Sequence, residues 1–124
     1  MPLLQFDTTL SLSADEKASF AETVTELYTT EMATTAGHVA VTIRDRGSAD
    51  LYLGRAVEGP VLFLDADIRR GRSFERKRAF ALAVMEHAGA TFDVPAENMK
   101  TVFTEHAGDE MMGIDRVGGA WDGE

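Results

Sequence analysis

The sequence has 124 residues, the size of one domain, and its 44% hydrophobic and 27% charged residues are typical of a globular protein. The absence of cysteine excludes disulfides and thiol chemistry, and the formal net charge of −9 argues against nucleic acid as a partner. No apolar run approaches the ~18 residues that a membrane span needs, so we predict a cytoplasmic protein with no membrane partner.

The first half of the sequence predicts a strand, a helix and a second strand. Apolar and polar residues alternate from Leu4 to Leu10, which is the period of a half-buried strand. Ser13 and Glu16 have the spacing of a capping box and predict a helix that runs to about Met32. Its buried stripe would be Phe20, Val24 and Leu27. β-Branched residues predict a strand at 38–45, followed by a turn and a short strand or hairpin arm at 51–54.

The second half repeats this plan. Pro60–Asp65 has the pattern of Pro2–Asp7, Ser73 begins a helix as Ser13 does, and Met99–Glu105 is a final strand. The predicted fold class is α+β: a tandem β-α-β repeat with its helices on one face of a mixed four-stranded sheet. We predict a single domain over 1–124, with units of about 1–57 and 58–106 and a C-terminal tail, 107–124.

The sheet face that the helices leave uncovered predicts self-association. It would carry Leu3, Gln5, Val61 and Phe63, which are too apolar as a group to be left in water. Burial against copies of the same chain would cover them, so we predict a homo-oligomer. In the tail, Trp121 is expected to dock on a neighbouring subunit.

Pro2 is the first candidate for chemistry. If Met1 is removed, Pro2 becomes a free secondary amine at the start of a strand, a position that suits proline. Such an amine can act as a general acid/base when burial or nearby cations lower its pKa. The alternative is that Pro2 merely tolerates the second position.

A basic segment lies between the third predicted strand and the second helix. Arg69, Arg70 and Arg72 precede the start of that helix, where the positive end of the helix dipole disfavours cations. This placement favours a role in binding an anion, and the alternative is a solvated basic turn.

Other polar residues give weaker patterns. Asp65 and Asp67 share one strand face, where a polar patch or intersubunit hydrogen bonding is favoured over a pair of catalytic acids. The three histidines, His38, His87 and His106, have no close ligand spacing, and no nucleotide fingerprint is present. We therefore predict no metal and no cofactor.

Pro2, the doubled β-α-β unit, Arg69–Ser73 and Thr101–Glu105 together make the chain resemble the tautomerase superfamily. Within it, the chain most resembles the branch of cis-3-chloroacrylic acid dehalogenase. The resemblance implies a trimer in which Pro2 is the proton shuttle and Arg69 and Arg72 hold a substrate carboxylate. It requires no cofactor.

Aligned with the dehalogenase, this sequence differs from it at three site positions. Tyr28 stands in place of a catalytic histidine and could donate to a substrate oxygen, and Phe103 stands in place of a tyrosine at the substrate. Gly113 stands where the dehalogenase has a glutamate that activates water. Glu105, Asp109 and Glu110 are near it in sequence but out of register.

Tautomerisation needs no activated water, so these differences favour a tautomerase acting on a small 2-keto or enol carboxylate. One alternative is a hydratase, dehalogenase or decarboxylase of a small unsaturated or 3-oxo acid. The other is a non-catalytic trimeric binding protein with the same fold.

Overall fold

The computed structural model describes residues 1–119, which form two β-α-β units in tandem. The first unit consists of β1 (Leu3–Thr8), α1 (Ala14–Met32) and β2 (Ala40–Asp45). The second consists of β3 (Leu62–Arg69), α2 (Phe74–Phe92) and β4 (Met99–His106). Beyond the second unit, a small hairpin forms from β5 (Met112–Gly113) and β6 (Arg116–Val117).

The four long strands form one mixed sheet in the order β2-β1-β3-β4. Each unit pairs its own two strands in parallel, and the units join through the antiparallel pair β1 and β3 at the centre. Parallel pairing within a unit follows from the helical crossover that connects its strands. The predicted α+β fold with a mixed four-stranded sheet is confirmed.

The helices begin where the sequence places their caps. At α1, the Ser13 hydroxyl accepts from the Glu16 N–H at 3.1 Å, and the Glu16 carboxylate accepts from the Ser13 N–H at 2.9 Å. At α2, the Ser73 hydroxyl accepts from the Arg76 N–H at 3.2 Å. The predicted capping box of α1 is therefore present, and each helix start has a side-chain acceptor for one of its unpaired amides.

The core lies between the helices and one face of the sheet. Strand residues at alternate positions point into it, among them Leu4 and Phe6 of β1. The buried stripe of α1 is Phe20, Val24, Tyr28 and Met32. Leu27, predicted to belong to that stripe, is only partly buried, because the stripe continues at the four-residue spacing from Val24 to Tyr28.

The opposite sheet face mixes apolar and charged side chains. Leu3 is 40% exposed and Val102 is 48% exposed. Between such residues the Arg44 guanidinium donates to both carboxylate oxygens of Asp7, at 2.9 and 3.0 Å. The face is therefore more polar than the sequence suggested.

Val61, expected to be left uncovered on that open face, is instead buried. The residue is 8% exposed and lies just before β3. Its carbonyl accepts from the Thr8 hydroxyl at 2.8 Å and from the Thr9 N–H at 3.1 Å. These bonds hold the backbone of Val61 against the end of β1.

The segment 51–54, expected to be a strand or hairpin arm, contains no strand. The connection from β2 to β3 is instead tied down by Asn98, which is fully buried. Its amide nitrogen donates to the carbonyls of Val57, Gly59 and Pro60 at 2.8, 3.3 and 3.0 Å, and its oxygen accepts from the Val57 N–H at 2.8 Å. Side-chain bonds satisfy this backbone, so it needs no strand partner.

Two further predictions concern the start of β2 and the C-terminal tail. The second strand begins at Ala40 rather than at residue 38, because Ala36–His38 form a turn of 3-10 helix. Trp121 lies outside the described residues, so its docking on a neighbour stays a prediction.

Within residues 1–119, neither helix has the length and apolar character needed to cross a bilayer.

Candidate active site

The chain ahead of β1 is held inside the molecule. Pro2 is buried and Met1 is half-buried. The Pro2 carbonyl accepts from the Ala40 N–H at 3.0 Å, which extends the parallel pairing of β1 and β2 by one residue. The backbone at Pro2 therefore has a fixed position at the edge of the core.

Arg69 lies at the end of β3, and Gly71 turns the chain from β3 towards α2. Gly71 has a φ of 127°, a conformation that favours glycine. One terminal nitrogen of Arg69, Nη1, donates to the Gly119 carbonyl at 2.8 Å. Its Nε is buried and has no hydrogen-bond partner within residues 1–119. A buried donor without a partner is costly, and an anionic ligand oxygen would satisfy it.

Arg72 is buried, with 6% of its surface exposed. Its Nε and Nη2 donate to the Met32 carbonyl at 3.3 and 3.2 Å, and the Arg76 guanidinium donates to the Glu31 carbonyl at 3.0 Å. These carbonyls belong to the last turn of α1, the negative end of that helix. The C-terminus of α1 is thus a structural partner of Arg72. The sequence analysis considered only the start of α2 and therefore did not predict this contact.

The N-terminus lies among cationic side chains. The pKa of the Met1 ammonium is lowered, first by burial and then by the charges of Arg69, Arg72 and Arg116. Burial is also the main cause that lowers the pKa of Arg72, and Arg69 adds to it. The predicted arginines therefore converge on the position just ahead of Pro2.

Arg116, in β6, is a residue that the sequence analysis missed. Its Nη1 lies 3.0 Å from His38 Nε2, and its charge acts on the Met1 amine. In the sequence, Arg116 is a single arginine in a glycine-rich tail. It has no regular spacing to other polar residues that would predict a binding site. A Cβ at Gly113 would lie 3.5 Å from Met1 Cε, so the tail lies against the N-terminus.

Tyr28 lies within the field of Arg72 and Arg69. It is 1% exposed, and its ring packs edge-to-face on Phe80 with the centroids 5.1 Å apart. Burial raises the pKa of its hydroxyl, while Arg72 and Arg69 act in the opposite direction. The charges of Arg69 and Arg72 thus act on both the Tyr28 hydroxyl and the Met1 amine, and the catalytic role of Tyr28 stays a prediction.

Phe103 is placed differently. It pairs with Ala66 across β3 and β4 on the core side of the sheet, and its ring centroid is 6.5 Å from that of Phe80. Ala66 is fully buried, so within one chain Phe103 is a core residue at the edge of the sheet. A contact between Phe103 and substrate stays a prediction.

A cavity of about 500 Å³ opens beside the N-terminus. Its lining includes Met1, Pro2, His38, Asp67, His106 and Gly113. The volume is within the range of small-molecule sites, which is roughly 300–1,000 Å³. The size of the cavity is therefore compatible with a small carboxylic acid.

Asp67 in this cavity pairs with a histidine rather than with Asp65. Its Oδ1 is 2.9 Å from His106 Nε2, and its Oδ2 accepts from the Gln5 side-chain amide at 3.1 Å. The polar patch expected on this strand face is therefore formed within one chain. Within residues 1–119, no cluster of three or more His, Asp or Glu side chains could hold a metal ion.

Neither the protein-family models nor the curated proteins contain a match to the sequence. Solved structures do match. A member of the cis-3-chloroacrylic acid dehalogenase family, called N1, is 20% identical over 95% of this chain and 84% of its own, with a TM-score of 0.84.

The chain has the fold of the tautomerase superfamily.

Two more structures agree with this assignment. A malonate semialdehyde decarboxylase, FG41, inhibited by 3-bromopropiolate, is 20% identical over 89% of this chain and 87% of its own, with a TM-score of 0.75. A symmetric trimer of a fused 4-OT is 16% identical over 94% of each chain, with a TM-score of 0.80. The tautomerase fold predicted from the resemblance is confirmed, and proteins with that fold include dehalogenase-family and decarboxylase members.

Proposed function

We propose that this protein is an enzyme of the tautomerase superfamily that uses Pro2 as a general acid/base on a small 2-keto or enol carboxylate. The observation that carries the proposal is the convergence of Arg69, Arg72 and Arg116 on the amine at the N-terminus, next to a cavity of about 500 Å³. Cations that lower the pKa of an amine also attract a carboxylate, so one arrangement supports both requirements.

Removal of Met1 is part of this proposal. The free amine would then be that of Pro2, which is buried where Met1 is half-buried. Burial and the same cations disfavour the ammonium, so the pKa of the Pro2 amine would be below the ordinary value of about 8. A base with a pKa near the working pH is the most effective for proton transfer.

The catalytic cycle needs only one proton carrier. The neutral Pro2 amine removes the enol hydroxyl proton or an α-proton, and the resulting ammonium returns a proton to the other end of the conjugated system. Arg69 anchors the substrate carboxylate through its buried Nε, with Arg72 close to it. Tyr28 and the arginines stabilise negative charge on the enolate oxygen.

We also propose a trimer for this chain. The open sheet face carries exposed Leu3 and Val102, and the β5–β6 hairpin carries Met112 and Val117, which are 63% and 53% exposed. Ile114 at the hairpin tip is fully exposed. Apolar residues in such positions are typical of surfaces that a subunit covers, and the fused 4-OT with this fold is a symmetric trimer.

The proposal is tested with the ketonisation of phenylenolpyruvate, followed by its ultraviolet absorbance. Two variants distinguish the role of the free amine from that of the proline ring. Pro2→Ala removes the ring. In the second variant, one alanine is inserted between Met1 and Pro2, so that the proline nitrogen is an amide. We expect kcat to fall about 10²–10⁴-fold in the insertion variant, the usual contribution of a general acid/base. Wild-type activity in a folded insertion variant would exclude Pro2 as the base.

A further inference from the structure

The cavity beside Pro2 contains two histidines with different hydrogen bonds. His38 Nε2 lies 3.0 Å from the Arg116 guanidinium, and His106 Nε2 lies 2.9 Å from the Asp67 carboxylate. Both residues line the cavity. Because a guanidinium only donates and a carboxylate only accepts, these partners fix which ring nitrogen carries the proton.

The bond to Arg116 makes His38 Nε2 an acceptor, so this nitrogen is already occupied. The bond to Asp67 requires the proton on His106 Nε2, which leaves Nδ1 as the basic nitrogen. His106 Nδ1 has no hydrogen-bond partner within residues 1–119. Of the two histidines, His106 is therefore the one arranged to accept a proton.

The position of this pair is set by the strands. Asp67 pairs directly with Leu3, the residue after Pro2, and His106 pairs with Arg69. Asp67 is held from its other side by Gln5, so its carboxylate cannot rotate without breaking that bond. A histidine oriented by a fixed carboxylate is the usual arrangement of a general base.

We infer that His106, oriented by Asp67, is a base that activates water for addition to a small α,β-unsaturated carboxylate bound beside Pro2. Gly113 lines the same cavity and has no side chain to do this, and the carboxylate of Glu110, which also lines it, accepts from the Ala107 N–H at 2.8 Å. The inference rests on the proposed function only for the role of Pro2 as proton donor.

His106 Nδ1 takes a proton from water as the water oxygen bonds to the β-carbon of the acid. The π-electron pair of the unsaturated bond moves to the α-carbon and takes a proton from Pro2, which begins this reaction as the ammonium rather than as the neutral amine that begins ketonisation. The proton on His106 then leaves to solvent, and another from solvent restores the Pro2 ammonium. The net reaction adds one water.

Acetylenedicarboxylate is a suitable probe, because its hydration gives oxaloacetate, which malate dehydrogenase and NADH report. We expect the wild-type protein to hydrate it and His106→Gln to do so about 10²–10⁴-fold more slowly, the usual contribution of a general base. Phenylenolpyruvate ketonisation should change less than about threefold in the same variant. His87→Gln is the matched control, because His87 packs on Phe20 outside this cavity, and it should retain both activities.

Asp67→Asn tests the inference without altering His106. It keeps the shape of the side chain but allows the amide to donate, which removes the preference for a basic Nδ1, so hydration should fall while ketonisation persists. No hydration by the wild-type protein, an equal loss in His87→Gln, or full hydration in His106→Gln would overturn the role of His106. Loss of ketonisation on blocking Pro2 is measured separately, so failure of this inference and failure of the proposed function give different results.

Discussion

Arg69 provides the sharpest mutational test of substrate anchoring. Its Nε is buried without a partner within residues 1–119, while its Nη1 has one bond to the Gly119 carbonyl. A substrate carboxylate that accepts from Nε would form a charge-assisted hydrogen bond worth about 1.5–3 kcal/mol. Arg69→Ala should therefore lower kcat/KM by about 10- to 150-fold, which is that energy expressed as a rate ratio.

The same variant should change folding stability little. Loss of the bond to Gly119 costs about 0.5–1.5 kcal/mol, while removal of a buried, unpaired donor recovers about 1–3 kcal/mol. The free energy of unfolding should therefore fall by no more than about 0.5 kcal/mol, and an increase is compatible with these values. Most anchoring residues would not separate activity from stability in this way.

The assay is phenylenolpyruvate ketonisation together with a thermal melt at one fixed protomer concentration. Arg70→Ala is the matched control, because Arg70 is exposed, adjacent and of the same charge. It should keep kcat/KM within about twofold, since a surface charge contributes little. Unchanged kcat/KM in a folded Arg69→Ala, or an equal loss in Arg70→Ala, would refute the anchoring role.

Three further predictions concern other parts of the chain. Arg116 lowers the pKa of the Met1 ammonium. We expect its charge to act in the same direction on the Pro2 amine once Met1 is removed, so in Arg116→Ala that amine should stay protonated to higher pH and the acidic limb of kcat/KM against pH should move upward; a downward shift would contradict this. Asn98→Ala leaves several buried backbone groups without partners. The free energy of unfolding should fall by roughly 2–4 kcal/mol, which corresponds to a loss of roughly 8–16 °C in Tm by calorimetry. An unchanged Tm would show that the connection between β2 and β3 does not depend on Asn98. Ala33 has a φ of 51°, so Ala33→Gly should stabilise the protein by about 0.5–1 kcal/mol in denaturant unfolding; destabilisation would mean that the cap is not strained.

Local signals accounted for most of the fold. The capping box of Ser13 and Glu16 is a short-range pattern, and the alternation in β1 reports directly which side chains face the core. The connection between β2 and β3 could not be predicted in this way. It depends on Asn98, which is 41 residues from Val57 in sequence, and no local propensity encodes such a bond.

The site was predictable only in part. The resemblance supplied Arg69 and Arg72, and the electrostatics bring both to the N-terminus. The sequence could not show that the last turn of α1 uses Arg72 as a hydrogen-bond donor, because that requires the packing of two helices. It also could not pair Asp67 with His106, which requires the register of β3 and β4.

The central claim is that Pro2 carries a free, reactive amine in a carboxylate-binding site. The most direct measurement is the intact mass of the untagged protein before and after incubation with 3-bromopropiolate, followed by mapping of any adduct. We predict a mass without Met1 and a single adduct on the Pro2 nitrogen, because a neutral amine beside cations that hold the carboxylate will add to the activated alkyne. Retention of Met1, or an adduct only at other residues, would contradict the account.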